Sequence, residues 1–353
     1  MNMLNTEKIK KDFITDLKGK KVCLNFLKNN TGTIVGICNY GARITHFCIE
    51  KENKFFDIVL GCDNIDDYIS ENEKYLGVTV GRFANRIANG KFTLNNIEYT
   101  LTQNNGTNSL HSGQEALHNR VWDILEVTAN TITLETLCDD MEEGFPGDIN
   151  CKVTFSLTDD DELKINYWAK SSKDTIINLT NHSYFNLNGE DAGDILNHQI
   201  MINADSYVPV NEDCIPLGFY QAVANSPFDF RKFGLIKNGL SSNHEQIKIG
   251  NGYDHSFVIK QENSSDVKHA ATVLGDKTGL KLDVFTTEPG MQFYTGNYLE
   301  QTDKGKNGTH YQQRAGFCLE TQHHPDSPNQ KQFPSAILMA GDIFTSETIF
   351  KIS

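Results

Sequence analysis

The sequence predicts an all-β protein, and three observations lead there. Apolar and polar residues alternate over short runs that end in turn formers, the signature of half-buried strands. Helical periodicity is scarce. The runs recur at roughly 8–12-residue spacing, which favours a sandwich or a barrel over a doubly wound fold, where a helix would stand between successive strands.

Taken in order, strands are expected in GTIVGIC (32–38), ARITHFCI (42–49), KFTLNNIEYTL (91–101), NTITLETL (130–137), INCKVTFSL (149–157), ELKINYWA (162–169) and GLKLDVFT (279–286). The 91–101 run is the clearest hairpin. Phe92 and Leu94 alternate before Asn95-Asn96, and Ile97, Tyr99 and Leu101 alternate after it. Asparagine tolerates the left-handed backbone that a tight turn needs. Asp159, Asp160 and Asp161 do similar turn work between two further runs. Only 61–75 and 225–247 are long and irregular enough for short helices or extended loops. No Pro/Gly/Ser-rich linker, composition break or strict repeat divides the chain. Residues 16–353 are therefore expected to form one large domain, with residues 1–15 a loose N-terminal segment.

With 353 residues, 38% of them hydrophobic, the chain can bury a sizeable core. A formal net charge of -14 argues against nucleic acid or an anionic membrane as partner, since both call for clustered Lys and Arg. A small neutral partner is favoured. The N-terminal MNMLNTEKIKKDFITDL is basic but has no apolar stretch behind it, and nowhere do about eighteen apolar residues run together, so neither secretion nor membrane insertion is expected. The eight cysteines form no C-x-x-C pair, which reads as reduced thiols in a cytoplasmic protein.

Polar clusters interrupt the strand pattern at GRFANRIANG (81–90), NNGTNSLHSG (104–113), NLTNHSYFNLNG (178–189), NGYDHSFVI (251–259), TTEPGMQFYTGN (286–297) and GFCLETQHHPDSPN (316–329). Each joins turn formers to residues able to move protons or bind hydroxyls, and loops or strand ends on a rigid sheet are where such residues act. Taken singly, each has a plainer reading. Arg86 beside Asn85 suits a surface turn, His111 and His182 suit hydrogen-bonded loop histidines, Asp254 suits a turn cap, and Gln292 suits a backbone partner. Glu320 is the exception, because it follows the apolar run Gly316-Phe317-Cys318-Leu319 and so sits at a strand end as a carboxylate carried toward a site.

The six clusters in this order resemble the aldose 1-epimerase family, the galactose mutarotase-like enzymes, along most of the chain. The resemblance implies a large antiparallel β-sandwich of the galactose mutarotase type, with Glu320 as general base and His182 as general acid. It further implies that Asn85, Arg86, Tyr184, Asp254 and Gln292 bind sugar hydroxyls, with His111 beside the ring. Three positions depart from the family pattern: Ser109 and Ser112 stand where it often has His and Gly, and His324 replaces an aromatic. These departures bear on sugar preference.

Anomer exchange in a free hexose needs a proton taken from the C1 hydroxyl and one given to the ring oxygen. A carboxylate with an ordinary pKa near 4.3 and an imidazole near 6.5 suit those tasks at neutral pH, with anionic Glu320 expected to keep His182 protonated. The expected pH profile is a bell. No cofactor is implied, and no metal: His323 and His324 are adjacent on a strand and so point apart, and HEQIK (244–248) lacks the second histidine of a zinc helix. The implied partner is a monosaccharide substrate, the implied assembly a monomer or homodimer. A hexose-6-phosphate 1-epimerase would want a basic cluster at the motifs, a non-catalytic sugar-binding sandwich would not need Glu320 and His182 together, and a glycoside hydrolase would use two carboxylates.

Overall fold

The computed structural model describes residues 4–70, 75–260, 266–299 and 304–353. Among these residues the largest sheet has nine strands, all antiparallel. Its centre is built from Ile149–Leu157, Glu162–Ser171 and Ile343–Ile352. The expected period of two is plain there: Ile149, Cys151, Val153, Phe155 and Leu157 are buried while the residues between them are half-buried.

A second sheet orders Gln221–Ala222, Ala204–Tyr207, Asp254–Ile259, Gly290–Tyr294 and Cys318–Gln322, and a third orders Leu24–Lys28, Ile34–Cys38, Arg43–Lys51 and Lys54–Asp57. One core joins all three. Val153, Ile165 and Phe350 of the nine-stranded sheet share it with Phe257, Met291, Phe293 and Leu319 of the second sheet and with Ile37 and Phe47 of the third. Burying one such side chain fully contributes about 1.5–3 kcal/mol, so this shared core sets the sandwich arrangement.

The strands Gly290–Tyr294 and Cys318–Gln322 differ from the other strands of these three sheets in being buried along their whole length. One face of each packs on the core. The other is roofed by loops from 75–113 and 182–184, and that roofed face carries the site.

The 91–101 hairpin forms as expected, with Lys91–Leu94 paired to Ile97–Thr100 and with Asn95 and Asn96 at φ of 51° and 62°. Short helices appear at Ile65–Ser70, Ile236–Leu240 and Glu245–Ile249, within or just past the two irregular stretches. The expectation of a loose segment over 1–15 is corrected for most of its length. Asn5 caps a helix at Thr6–Lys11 by accepting from Lys8 N, and Phe13 is fully buried with its ring 5.9 Å from that of Tyr68. The cap satisfies a helix-end donor and the phenyl ring supplies the apolar anchor, which the polar composition of the segment concealed.

Candidate active site

Strand register sets the floor of the site. Gln292 lies opposite both Ser256 and Glu320, and Tyr294 lies opposite both Asp254 and Cys318. Because residues two apart share a face, Asp254, Gln292, Tyr294, Cys318 and Glu320 all point away from the core. His182 is brought in from above. It follows the short strand Thr180–Asn181, and its backbone is tied on both sides, His182 N–H donating to Val78 O and Gly77 N–H to His182 O.

A cavity of about 350 Å³ opens here, lined by Tyr75, Asn85, Arg86, Asn105, Leu110, His111, His182, Tyr184, Asp254, Tyr294, Tyr298 and Glu320. Its size falls at the small end of the usual range for ligand sites, about 300–1,000 Å³. Seven of the eight residues singled out in the sequence therefore line one cleft. Gln292 does not: its Nε2 donates to Asp254 Oδ1 at 2.7 Å, so it stands behind Asp254 and holds that carboxylate.

His182 Nε2 lies 3.6 Å from Glu320 Oε1, and both side chains are almost wholly buried. Burial pulls the imidazole of His182 down to about 4, because a charged ring loses its hydration there. This runs against the expectation that Glu320 keeps His182 protonated: desolvation outweighs the backbone hydrogen bond that favours the charged ring.

Asn85 and His111 form a second unit. Asn85 N–H donates to His111 Nδ1 and His111 N–H donates to Asn85 O, each at 3.1 Å, where Arg86–Ile87 pairs with Ser109–Leu110. Both residues take the left-handed backbone, at φ of 68° and 51°. Non-glycine residues held there cluster at functional sites. Burial, with His182 and His118 nearby, holds His111 well below the ordinary imidazole range. A neutral ring that accepts at Nδ1 carries its proton on Nε2, so His111 presents an N–H donor to the cleft.

That donor also decides the fit to a metal. Ligand atoms of His111, His182 and Glu320 lie within 4.8 Å of one another, close enough to surround an ion. A ligating imidazole donates its other ring N–H to a partner, whereas His111 Nδ1 accepts one from Asn85, which leaves Nε2 without a free lone pair. The three residues do not fit a resident metal.

Arg86 spans the cleft. Its Nε donates to Asn105 Oδ1 at 3.1 Å and its Nη1 lies 3.8 Å from Asp254 Oδ2. Tyr75, Asn105, Leu110, Tyr294 and Tyr298 were missed as lining residues. Asn105, Leu110 and Tyr294 lie inside quoted motifs, so their position was available as a signal, while Tyr75 and Tyr298 stand outside them. The three departures fall elsewhere. None of Ser109, Ser112 and His324 lines the cleft. Ser112 takes a glycine-like φ of 69° and compensates by accepting from Phe83 N–H and donating to Phe83 O. His324 fills an aromatic slot between Tyr220 and Phe333, at 5.4 and 5.2 Å, with Nδ1 2.8 Å from Ser256 Oγ. The expectation that they bear on sugar preference is accordingly not met at the cleft.

A larger groove, about 890 Å³, lies beside Trp168, Ile343 and residues 334–339. Its one histidine–carboxylate pair, His323 Nδ1 with Glu288 Oε2 at 2.7 Å, is closed on itself.

The sandwich and its cleft, with a carboxylate and an imidazole among polar and aromatic side chains, define a carbohydrate-active enzyme of the mutarotase-like fold. The chain belongs to the aldose 1-epimerase family, whose family model matches residues 24–351. It is 42% identical over 320 residues to galactose mutarotase of Rattus norvegicus, covering 90% of this chain and 91% of that protein. It is 36% identical over 337 residues to aldose 1-epimerase of Escherichia coli, covering 94% and 96%. Among solved structures, a GalM/aldose epimerase homologue from C. elegans superposes with a TM-score of 0.85 at 28% identity, covering 94% of this chain and 99% of that one.

Proposed function

We propose that this enzyme interconverts the α and β anomers of free hexoses, with Glu320 as the base that takes the C1 hydroxyl proton and His182 as the acid that protonates the ring oxygen. The supporting observation is the buried 3.6 Å approach of His182 Nε2 to Glu320 Oε1 inside the polar cleft. As O1 loses its proton and the ring oxygen gains one, the C1–O5 bond breaks and an aldehyde forms. Rotation about C1–C2 presents the other carbonyl face, and the reverse transfers close the opposite anomer. Glu320 and His182 must hold one proton between them when sugar binds.

Asn85, Arg86, Asp254, Tyr184 and the Nε2–H of His111 hold the ring against the pair, and Gln292 acts by fixing Asp254. Nothing in these steps moves an electron, a hydride or a phosphate, so the reading requires no cofactor and no metal. The assembly is read as a monomer or homodimer. The eight free cysteines suit a reducing compartment, which supports a cytoplasmic location. Galactose and glucose are the sugars to try first, galactose because the mammalian relative carries its name.

Polarimetry on freshly dissolved α-D-galactose and α-D-glucose tests the reaction, with and without EDTA. The expected result is accelerated exchange of both sugars that survives chelation. Loss on chelation with recovery on adding a divalent ion, or a strong preference for the 6-phosphate, would replace this reading. kcat/KM should fall as pH rises through the value at which the pair loses its proton. That value belongs to His182 and Glu320 together, and the limb should vanish in His182→Asn.

A further inference from the structure

His182 is held from two rungs of a single strand. Alternate residues of Cys318–Gln322 share a face about 7 Å apart, so Cys318 and Glu320 both look into the roofed side of the sheet. Both reach the same imidazole. Cys318 Sγ lies 3.5 Å from Nδ1, and Glu320 Oε1 lies 3.6 Å from Nε2. Cys318 is fully buried. Neighbouring rings close much of the remaining space: Tyr75 stacks at 5.7 Å, Tyr184 lies at 5.0 Å and His111 meets the ring edge-on at 5.5 Å. These rings fix the plane of the imidazole, but shape alone hardly distinguishes its nitrogens from its carbons after a half-turn about the terminal torsion. A polar partner at Nδ1 does.

We propose that Cys318 is a positioning residue for the reaction, its thiol setting the ring orientation and tautomer of His182 so that Nε2 faces Glu320 and the sugar. The inference rests on the reading of His182 as the acid. A thiol suits a ring that gains and loses a proton, since sulfur is a weak donor through S–H and a weak acceptor through its lone pairs. It partners Nδ1 in both states: the proton given to the ring oxygen leaves from Nε2, so Nδ1 keeps its own proton and Nδ1–H donates to Sγ in the imidazolium and in the neutral ring alike. No bond to sulfur forms or breaks. A carboxylate in the same place would favour the charged ring throughout and resist its return to neutrality.

The test replaces Cys318 with Ala, with Val and with Ser in the full chain, and follows anomer exchange by polarimetry and the His182 ring nitrogens by ¹⁵N NMR. Cys318→Ala should lower kcat roughly 3–10-fold, the range expected for one neutral hydrogen bond, with KM changed less than about twofold. The His182 nitrogen resonances should move toward a mixture of tautomers, and Cys318→Ser should restore most of both. If the Ala variant does not fold, Cys318→Val fills the space without offering a partner and should show the same losses. Wild-type kcat and unmoved ring resonances in a folded Ala or Val variant would overturn the proposal. So would a loss shared equally by Ser and Ala and accompanied by a matching fall in thermal midpoint, which marks packing alone. The NMR readout separates this inference from the one beneath it. If His182→Asn kept wild-type exchange, the acid assignment would fall and the catalytic value of the contact with it, whatever the ring resonances did in the Cys318 variants.

Discussion

The second sheet has two faces built from the same strands with opposite chemistry. Toward the core it presents Phe257, Met291, Phe293 and Leu319, each essentially without solvent contact. One residue along in each strand, it presents Asp254, Ser256, Gln292, Cys318 and Glu320. Apart from half-buried Asp254 both faces are buried, so burial alone does not separate them. What separates them is that one face meets other apolar side chains while the other meets a roof of polar loops with a cleft beneath it. A period of two in the sequence is enough to divide a strand between holding the fold and lining the cleft.

The sharpest way to break this comparison is to substitute one residue on each face. Glu320→Gln should lower kcat by about 10²–10⁴-fold with little change in sugar affinity or stability, measured by polarimetry, calorimetry and thermal melting. Phe293→Ala should do the reverse, costing about 3–5 kcal/mol of stability while the folded fraction keeps near-normal exchange. If Glu320→Gln melted early or Phe293→Ala lost activity while still folded, the division of labour would fail.

Acid should act on both faces together. Burial lowers His46, His255 and His324 to about 3, and His182 and His198 to about 4. Each is neutral when folded and takes up a proton near 6.5 when unfolded, so the unfolded chain binds more protons in between. Their stability contribution is whole above about pH 6.5 and is lost as pH falls toward 4, at about 1 kcal/mol per group per pH unit. Glu190, raised to about 7 by burial, works in the opposite sense by one proton. Calorimetric melts from pH 7.5 to 4.5 should therefore show a steep fall in midpoint, and a level profile would contradict the assignment of these rings as neutral.

Smaller effects sharpen the map of the cleft. Asp254→Ala should raise KM roughly tenfold with less effect on kcat, because the proposed reading has it hold the sugar and not move a proton. Gln292→Ala should give a weaker version of the same change, since it acts through Asp254. His324→Phe should be nearly silent. It removes one hydrogen bond to Ser256 together with a buried Nε2 that has no partner among the described residues, keeps the ring between Tyr220 and Phe333, and should alter stability by no more than about 1 kcal/mol. A large kinetic effect there would mean that the cleft extends further than its lining residues.

The strands, the Asn95-Asn96 hairpin and the order of the six polar clusters were legible in the sequence, because alternation and turn chemistry are properties of neighbouring side chains. Asn85, Arg86, His111, His182, Tyr184, Asp254 and Glu320 were legible as a set through resemblance. No local pattern in any one of their segments connects it to the others. Tertiary structure alone decided that these segments converge on one cleft, that Gln292 stands behind Asp254, that Phe13 anchors the N-terminal stretch and that burial disfavours the charge on His182. The physical reason is common to all four. Each depends on which distant residues a side chain meets and on how much water they exclude, and the pairing of strands sets both only after the chain has folded.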